Sequence, residues 1–332
     1  MDGRGLLREL AGRFYYWAQG WTAPKPHVLD VSLGLPQMAL LASSFESRKF
    51  DVFEESFTRL APDERFVALS ALAQGDLSTD TLDEWGSQSS TSIAPLFKGS
   101  FLTYQAWEAR GGARGAEVPE DAADEFISLL HQSWELLLTA YRMDESEPEP
   151  ITRLIPVAMG LGVSRDTLDD IFNAYKATGV QHLGAAMYMI DAVSPKWLGS
   201  RDEVFAFARA HAASFPQHVS GIAHAHVENW VYENHIRGAK DAETYFQQEA
   251  VREEIRECWH READFSLRTD YFRFAALNTY AFCFLMMLDD ALLVEALKLI
   301  GDRCTSKPWS YVHDNPFWVL NTARTDQGLP PL

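Results

Sequence analysis

The chain has 332 residues, 47% hydrophobic and 23% charged, an ordinary globular mixture long enough for two domains or one long repeat array. Lys+Arg number 29 and Asp+Glu 47, and the formal net charge of -18 argues against a nucleic-acid backbone or an anionic membrane as partner. It permits a basic protein partner, the plain alternative being solubility alone.

The first residues, MDGRGLLRELAGRFYYWAQGW, lack a signal-peptide core and a small-residue cleavage site. Their aromatic cluster, Phe14, Tyr15, Tyr16, Trp17 and Trp21, reads as an N-terminal cap over residues 1–34. Insertion into a partner's groove or a membrane interface is the alternative. A helical-repeat domain is expected over 35–315, opening with helices near 35–48 and 51–60. The Ser/Thr-rich stretch 75–95 reads as a break or linker within it. Helices follow near 101–110 and 121–143, where Phe126, Leu130, Trp134, Leu137 and Tyr141 extend one apolar face over four turns. After the acidic loop 144–150 come helices near 150–161, 165–178, 182–193 and 201–214. Leu168, Ile171, Phe172 and Tyr175 make one regular stripe, and Val204, Phe207, Ala208 and His211 the next. The two stripes start 36 residues apart, close to the roughly 34-residue tetratricopeptide unit. The last two pairs lie near 219–237 with 241–263, and 272–288 with 290–301. Residues 316–332 read as an extended tail. No segment shows strand alternation.

The longest apolar run, Ala281 to Leu288, is far short of the roughly 20 residues that span a bilayer. Cys258, Cys283 and Cys304 are odd in number and form no C-x-x-C pair, so a reducing cytoplasm fits and a disulfide framework does not. The fold expected is all-α, a tetratricopeptide-like solenoid of five to six helical pairs.

Three stretches stand out. The first is KWLGSRDEVFAFAR, from Lys196 to Arg209. Ser200 and Glu203 there have capping-box spacing, and Trp197 is either a partner anchor or a residue packed at the turn. Gly199 marks a helix boundary. The second is GIAHAHVENW, from Gly221 to Trp230. At about 100° per residue, His224 and His226 point to opposite faces of a helix and cannot share a metal. His224, Glu228 and His235 share one face; His226, Trp230 and Glu233 share the other. A zinc site would pair His224 with Glu228 and take a third ligand from His182, His218 or His260. The simpler reading is polar contact between stacked helices. The third is IGDRCTSKPWSY, where Pro308, Trp309 and Tyr311 are expected to cap the end of the stack. Ser310, His313 and Asp314 lie too close in sequence to form a catalytic triad without further support.

These three stretches, in this order and with Ala225-His226-Val227-Glu228 as the middle element, resemble a bacterial family of tetratricopeptide-like proteins known as a domain of unknown function. The resemblance runs from about residue 35 to 312. It departs at Asp289-Asp290, where such proteins often have Gly-Asp. It implies a helical-repeat fold and no particular reaction or cofactor.

No P-loop, G-x-G-x-x-G, H-E-x-x-H or EF-hand loop is present. The expectation is therefore a non-enzymatic protein that binds a basic protein partner through an acidic concave surface. One alternative is a metal-binding or small-molecule-binding protein, or an enzyme, with its site near His224, His226, Glu228 and Trp230. Another is an acidic decoy that neutralises a toxin or regulates a basic partner.

Overall fold

The computed structural model describes residues 29–75, 77–111, 117–180, 182–262 and 271–332, with the side chains of His235, Asp241 and Glu243 left aside. The aromatic segment Phe14–Trp21 therefore lies outside the described residues, as does the His235 side chain.

Among the described residues there are fifteen α-helices and no strand. Four come first: α1 (Met38–Glu46), α2 (Phe50–Thr58), α3 (Pro62–Ala73) and α4 (Thr79–Gln88). Next are α5 (Ile93–Arg110), α6 (Glu120–Met143), α7 (Pro148–Leu161), α8 (Arg165–Ala177), α9 (Leu183–Ala192) and α10 (Arg201–Ser214). The last are α11 (Ser220–Val231), α12 (Glu249–Arg261), α13 (Phe272–Met287), α14 (Asp290–Ile300) and α15 (Pro316–Asp326). No described helix is long and apolar enough to cross a membrane.

The stripe of α8 lies where the periodicity puts it, and that of α10 does so except that Phe205, not Phe207, is buried. Leu168, Ile171, Phe172 and Tyr175 are the buried face of α8, and Leu293, Ala296, Leu297 and Ile300 that of α14. Ser164 caps α8, its hydroxyl accepting from Thr167 N–H at 3.2 Å. Ser200 caps α10 by accepting from Glu203 N–H at 3.3 Å. The Glu203 carboxylate makes its return contact with the Ser200 hydroxyl, at 2.8 Å.

Three expectations need correction. Residues 75–95 are not a linker, because Leu82 and Trp85 bury themselves from α4 against Phe45, Phe50, Phe53 and Phe97. Residues 316–332 do not form an extended tail. Asn315 caps α15 at Trp318 N–H, Pro316 fits the first turn, and Arg324 binds the Leu297 carbonyl at 2.9 Å and the Pro330 carbonyl at 3.1 Å. The segment 219–237 is not one α-helix either: α11 ends at Val231 and a π-turn, Tyr232–Ile236, follows.

From α5 onward the packing is ordered. Helices α5, α7, α9, α11 and α13 lie side by side in that order. Each carries the following helix, α6, α8, α10, α12 or α14, as its partner. The N-terminal helices close against this row: α3 touches α5 and α7, and Phe66 packs on Phe272 at 5.0 Å.

A buried arginine fixes that closure. Arg153 on α7 donates to the Phe66 carbonyl at 2.8 Å, Ser70 Oγ at 2.9 Å, Tyr188 OH at 3.2 Å and Glu149 Oε2 at 3.3 Å. The other Glu149 oxygen faces His182 Nε2 at 3.3 Å. Burial alone would push the Glu149 carboxyl up, but His182 and Arg153 override it and hold it below the usual carboxylate range.

Between α9 and α10 the chain doubles back so closely that a Cβ at Gly199 would lie well inside contact distance of the Val193 carbonyl. Gly199→Ala should therefore cost on the order of 2 kcal/mol, read as a lower denaturation midpoint, because the obstacle is backbone and cannot rotate away. Beside this turn Trp197 is half-buried, its ring edge-on to Trp107 at 5.2 Å.

Candidate functional site

All twelve residues of α11 are buried, although four of them are His224, His226, Glu228 and Asn229. Buried polar groups need partners. His224 and Glu228 find them on one side of α11 and His226 on the other, as the 100° step requires.

One side is an ion cluster. His224 Nε2 lies 2.7 Å from Asp191 Oδ1, at the end of α9. Lys307 donates to Asp191 Oδ2 at 3.3 Å. Lys196 forms an ion pair with Glu228, whose other oxygen accepts from Tyr311 OH at 2.6 Å. Lys196 and Lys307 also lie over the Tyr311 ring, at 5.3 and 5.6 Å. The three stretches singled out in the sequence thus meet here: Lys196 from the first, His224 and Glu228 from the second, Lys307 and Tyr311 from the third. Pro308 follows Lys307 through a cis peptide bond, and Trp309, fully buried, donates to Asn278 Oδ1 at 2.6 Å. His313 is exposed and turned to the Asn315 backbone, away from any Ser–His–Asp arrangement.

Asp191, His224 and Glu228 offer ligand atoms within 4.8 Å of one another, a donor set of the right kind for zinc. The partner of His224 and Glu228 in this set is Asp191, not His182, His218 or His260. But Lys307 and Lys196 already neutralise both carboxylates. A unit positive charge about 4 Å from another costs about 4 kcal/mol at an effective dielectric of 20, and a divalent ion would meet two ammonium groups.

The pKa directions describe a settled cluster. Burial works to raise Asp191, but Lys307, His224 and Lys196 hold it well below the usual range. Burial works to lower Lys196 and Lys307, but Glu228 and Asp191 respectively raise them. Burial and then Glu228 push Tyr311 up to about 12. These four groups are thus fixed in the protonation states they already have at neutral pH, the opposite of what proton transfer needs.

The other side of α11 opens into a cleft of about 440 Å³ between α10 and α12, lined by Arg201, Phe205, Arg209, His226, Tyr245 and Glu254 among others. His226 Nε2 lies 2.9 Å from Glu254 Oε2, and its Nδ1 lies 2.7 Å from Tyr245 OH. Hydrogen bonding from His226, foremost, and from Arg209 holds Glu254 at about 2. Burial lowers His226 despite the neighbouring carboxylate. An ionised carboxylate only accepts, so Nε2 carries the imidazole proton and Tyr245 donates to Nδ1. Arg209 crosses from α10 to Glu254, Nε to Oε1 at 2.7 Å and Nη2 to Oε2 at 2.9 Å, over the Phe205 ring at 5.0 Å.

Trp230 points to the same side of α11 as His226 but into the core, against Phe246 at 6.1 Å and Phe282 at 5.6 Å. The four candidates therefore divide. His224 and Glu228 belong to the ion cluster, His226 lines the cleft, and Trp230 is packing. Asp191, Tyr245 and Glu254 carried no signal in the sequence, and Arg209 and Lys307 drew attention only as members of the quoted stretches. Cys258, Cys283 and Cys304 are free and buried, and burial pushes Cys258 and Cys304 up to about 12, away from thiolate chemistry. No family model, curated protein or solved structure matches the chain.

Proposed function

We propose that the chain is a non-enzymatic helical-repeat protein that binds a basic protein partner across the exposed face of α12. The observation that carries this is the row Glu249, Glu253 and Glu257. These carboxylates stand one turn apart on the solvent side of α12, and among the described residues none is in an ion pair. Like charges at i, i+4 weaken a helix by about 0.2–0.5 kcal/mol per pair. A cationic partner lying along this row would relieve their mutual repulsion. Glu120, Asp121, Asp124 and Glu125 at the start of α6 are also exposed and add to the negative charge at the surface. The ordered row of helical pairs supports the tetratricopeptide-like reading, an architecture that presents extended surfaces to proteins.

Capture from native lysate by the wild type and by the triple variant Glu249→Gln, Glu253→Gln, Glu257→Gln tests the proposal. The wild type should hold a stoichiometric partner at low salt and release it at high salt, where the Debye length falls to about 3 Å at 1 M. The triple variant should bind at least tenfold more weakly while melting no lower than the wild type. Equal capture by both proteins at both salts would sink the idea.

A further inference from the structure

We propose that the cleft beside α12 is a receptor for an arginine side chain of the partner, and that Arg209 holds the place until the partner arrives. The proposal rests on the preceding reading and deepens it.

A guanidinium receptor needs a carboxylate presented edge-on, an aromatic face, and a fixed orientation for both. The cleft has all three. Glu254 offers both oxygens across the opening, and Arg209 takes them side by side at 2.7 and 2.9 Å. Phe205 provides the face under the guanidinium, at 5.0 Å. The orientation comes from behind. His226, buried, donates to Glu254 at 2.9 Å and is itself fixed by Tyr245 at 2.7 Å. Its ring also packs edge-on to Phe205, with centroids 4.8 Å apart. Carboxylate and ring are thus locked before any ligand comes, which removes an ordering cost from binding.

The present occupant is open to exchange. The Arg209 side chain is 54% exposed, so water and an incoming cation can reach its pair with Glu254. It reaches Glu254 from another helix and can swing into water without disturbing the core. The cleft of about 440 Å³ leaves room for an incoming side chain beside it. Glu249 and Glu253, unpaired on α12, raise the local concentration of cations. A lysine could use the charge but not the two-oxygen fork, so the geometry selects arginine.

The experiment titrates the full chain with acetyl-Gly-Arg-Gly-amide and its lysine counterpart, followed by NMR shifts of the Tyr245 and His226 rings. Arg209→Ala should bind the arginine peptide about fivefold more tightly than the wild type, the scale of a released exposed pair. Glu254→Gln should bind it at least tenfold more weakly. Phe205→Leu, which keeps an apolar side chain without a ring face, should also weaken it, and remains informative if Glu254→Gln unfolds. The arginine peptide should bind more tightly than the lysine peptide. Equal affinity in the wild type and Arg209→Ala, or no loss in either Glu254→Gln or Phe205→Leu, overturns the assignment. Equal affinity for the two peptides overturns its guanidinium selectivity. The peptide requires no natural partner. Receptor behaviour without any captured protein would remove the preceding reading alone. A captured partner dependent on Glu249, Glu253 and Glu257 but indifferent to Arg209→Ala and Glu254→Gln would remove this one alone.

Discussion

Glu228→Leu is expected to lower the unfolding free energy by about 3–5 kcal/mol, measured by chemical denaturation at pH 7. Glu228 is fully buried, and Lys196, its ion-pair partner, has a side chain only 12% exposed. Removing the carboxylate leaves the ammonium without its counter-ion and Tyr311 without its acceptor. Adding Lys196→Met should recover most of the loss, because a buried pair replaced by apolar residues is often neutral. The pH dependence has a definite sign. In the wild type Lys196 is raised, so its contribution is present at neutral pH and is lost only as pH rises through its folded value. In Glu228→Leu the largest raising influence is gone, so burial, the largest influence of all, together with Lys307 brings it down from its wild-type value. The deficit of the variant should therefore shrink as pH rises above 7. A deficit below 1 kcal/mol, or no recovery in the double variant, would show that this pair does not hold α11 to the turn after α9.

Arg153→Met should have an effect of similar size with the opposite pH sign. Its guanidinium joins α7 to the Phe66 carbonyl, Ser70 and Tyr188 while pairing with the fully buried Glu149. Without it, Glu149 retains only His182 beside it in this cluster, and the expected loss is about 3–5 kcal/mol. In the wild type Glu149 is lowered, so its contribution is present above the unfolded carboxylate value and disappears in acid. In the variant only His182 still opposes burial, so the carboxyl rises from its wild-type value and the loss is largest where Glu149 is ionised. The gap between variant and wild type should be widest near neutrality and narrow below pH 5. Denaturation curves at pH 7 and pH 5 check this, and a gap that widens on acidification would contradict the described geometry.

Helices were legible wherever burial is one-sided. In α8 and α14 each buried position falls on one stripe, and the period of 3.6 shows directly. The same rule hid α4, whose ten residues, TDTLDEWGSQ, contain only two buried side chains among polar ones. It also misjudged residues 316–326, where the Gly-Pro-rich end drew attention from the Asn315-Pro316 start signal. α11 lies at the other extreme. With no exposed face it shows no amphipathic contrast, so its sequence says where His224 and His226 point relative to each other but not what they meet. Their partners lie 33 residues away at Asp191, 19 at Tyr245 and 28 at Glu254. Neither helical period nor motif spacing encodes such separations. Lys196, Glu228 and Tyr311 drew attention as parts of separate stretches, and only the fold shows that they touch.

The long reach of these contacts bears on how the chain folds. In a simple stack each pair of helices meets only its neighbours, so the ends fray first and order spreads like a zipper. Here Lys307 binds Asp191 across 116 residues, Tyr311 binds Glu228 across 83, and the Tyr271 backbone N–H binds Asp63 across 208. The segment after α14 is fastened to the middle of the row, and α3 to its far end at the start of α13. Such distant contacts raise the contact order, so closure carries a large loop entropy and tends to slow folding. Once closed, neither end can peel away without breaking a buried ionic or hydrogen-bonded link, and the described helices should come apart together rather than pair by pair.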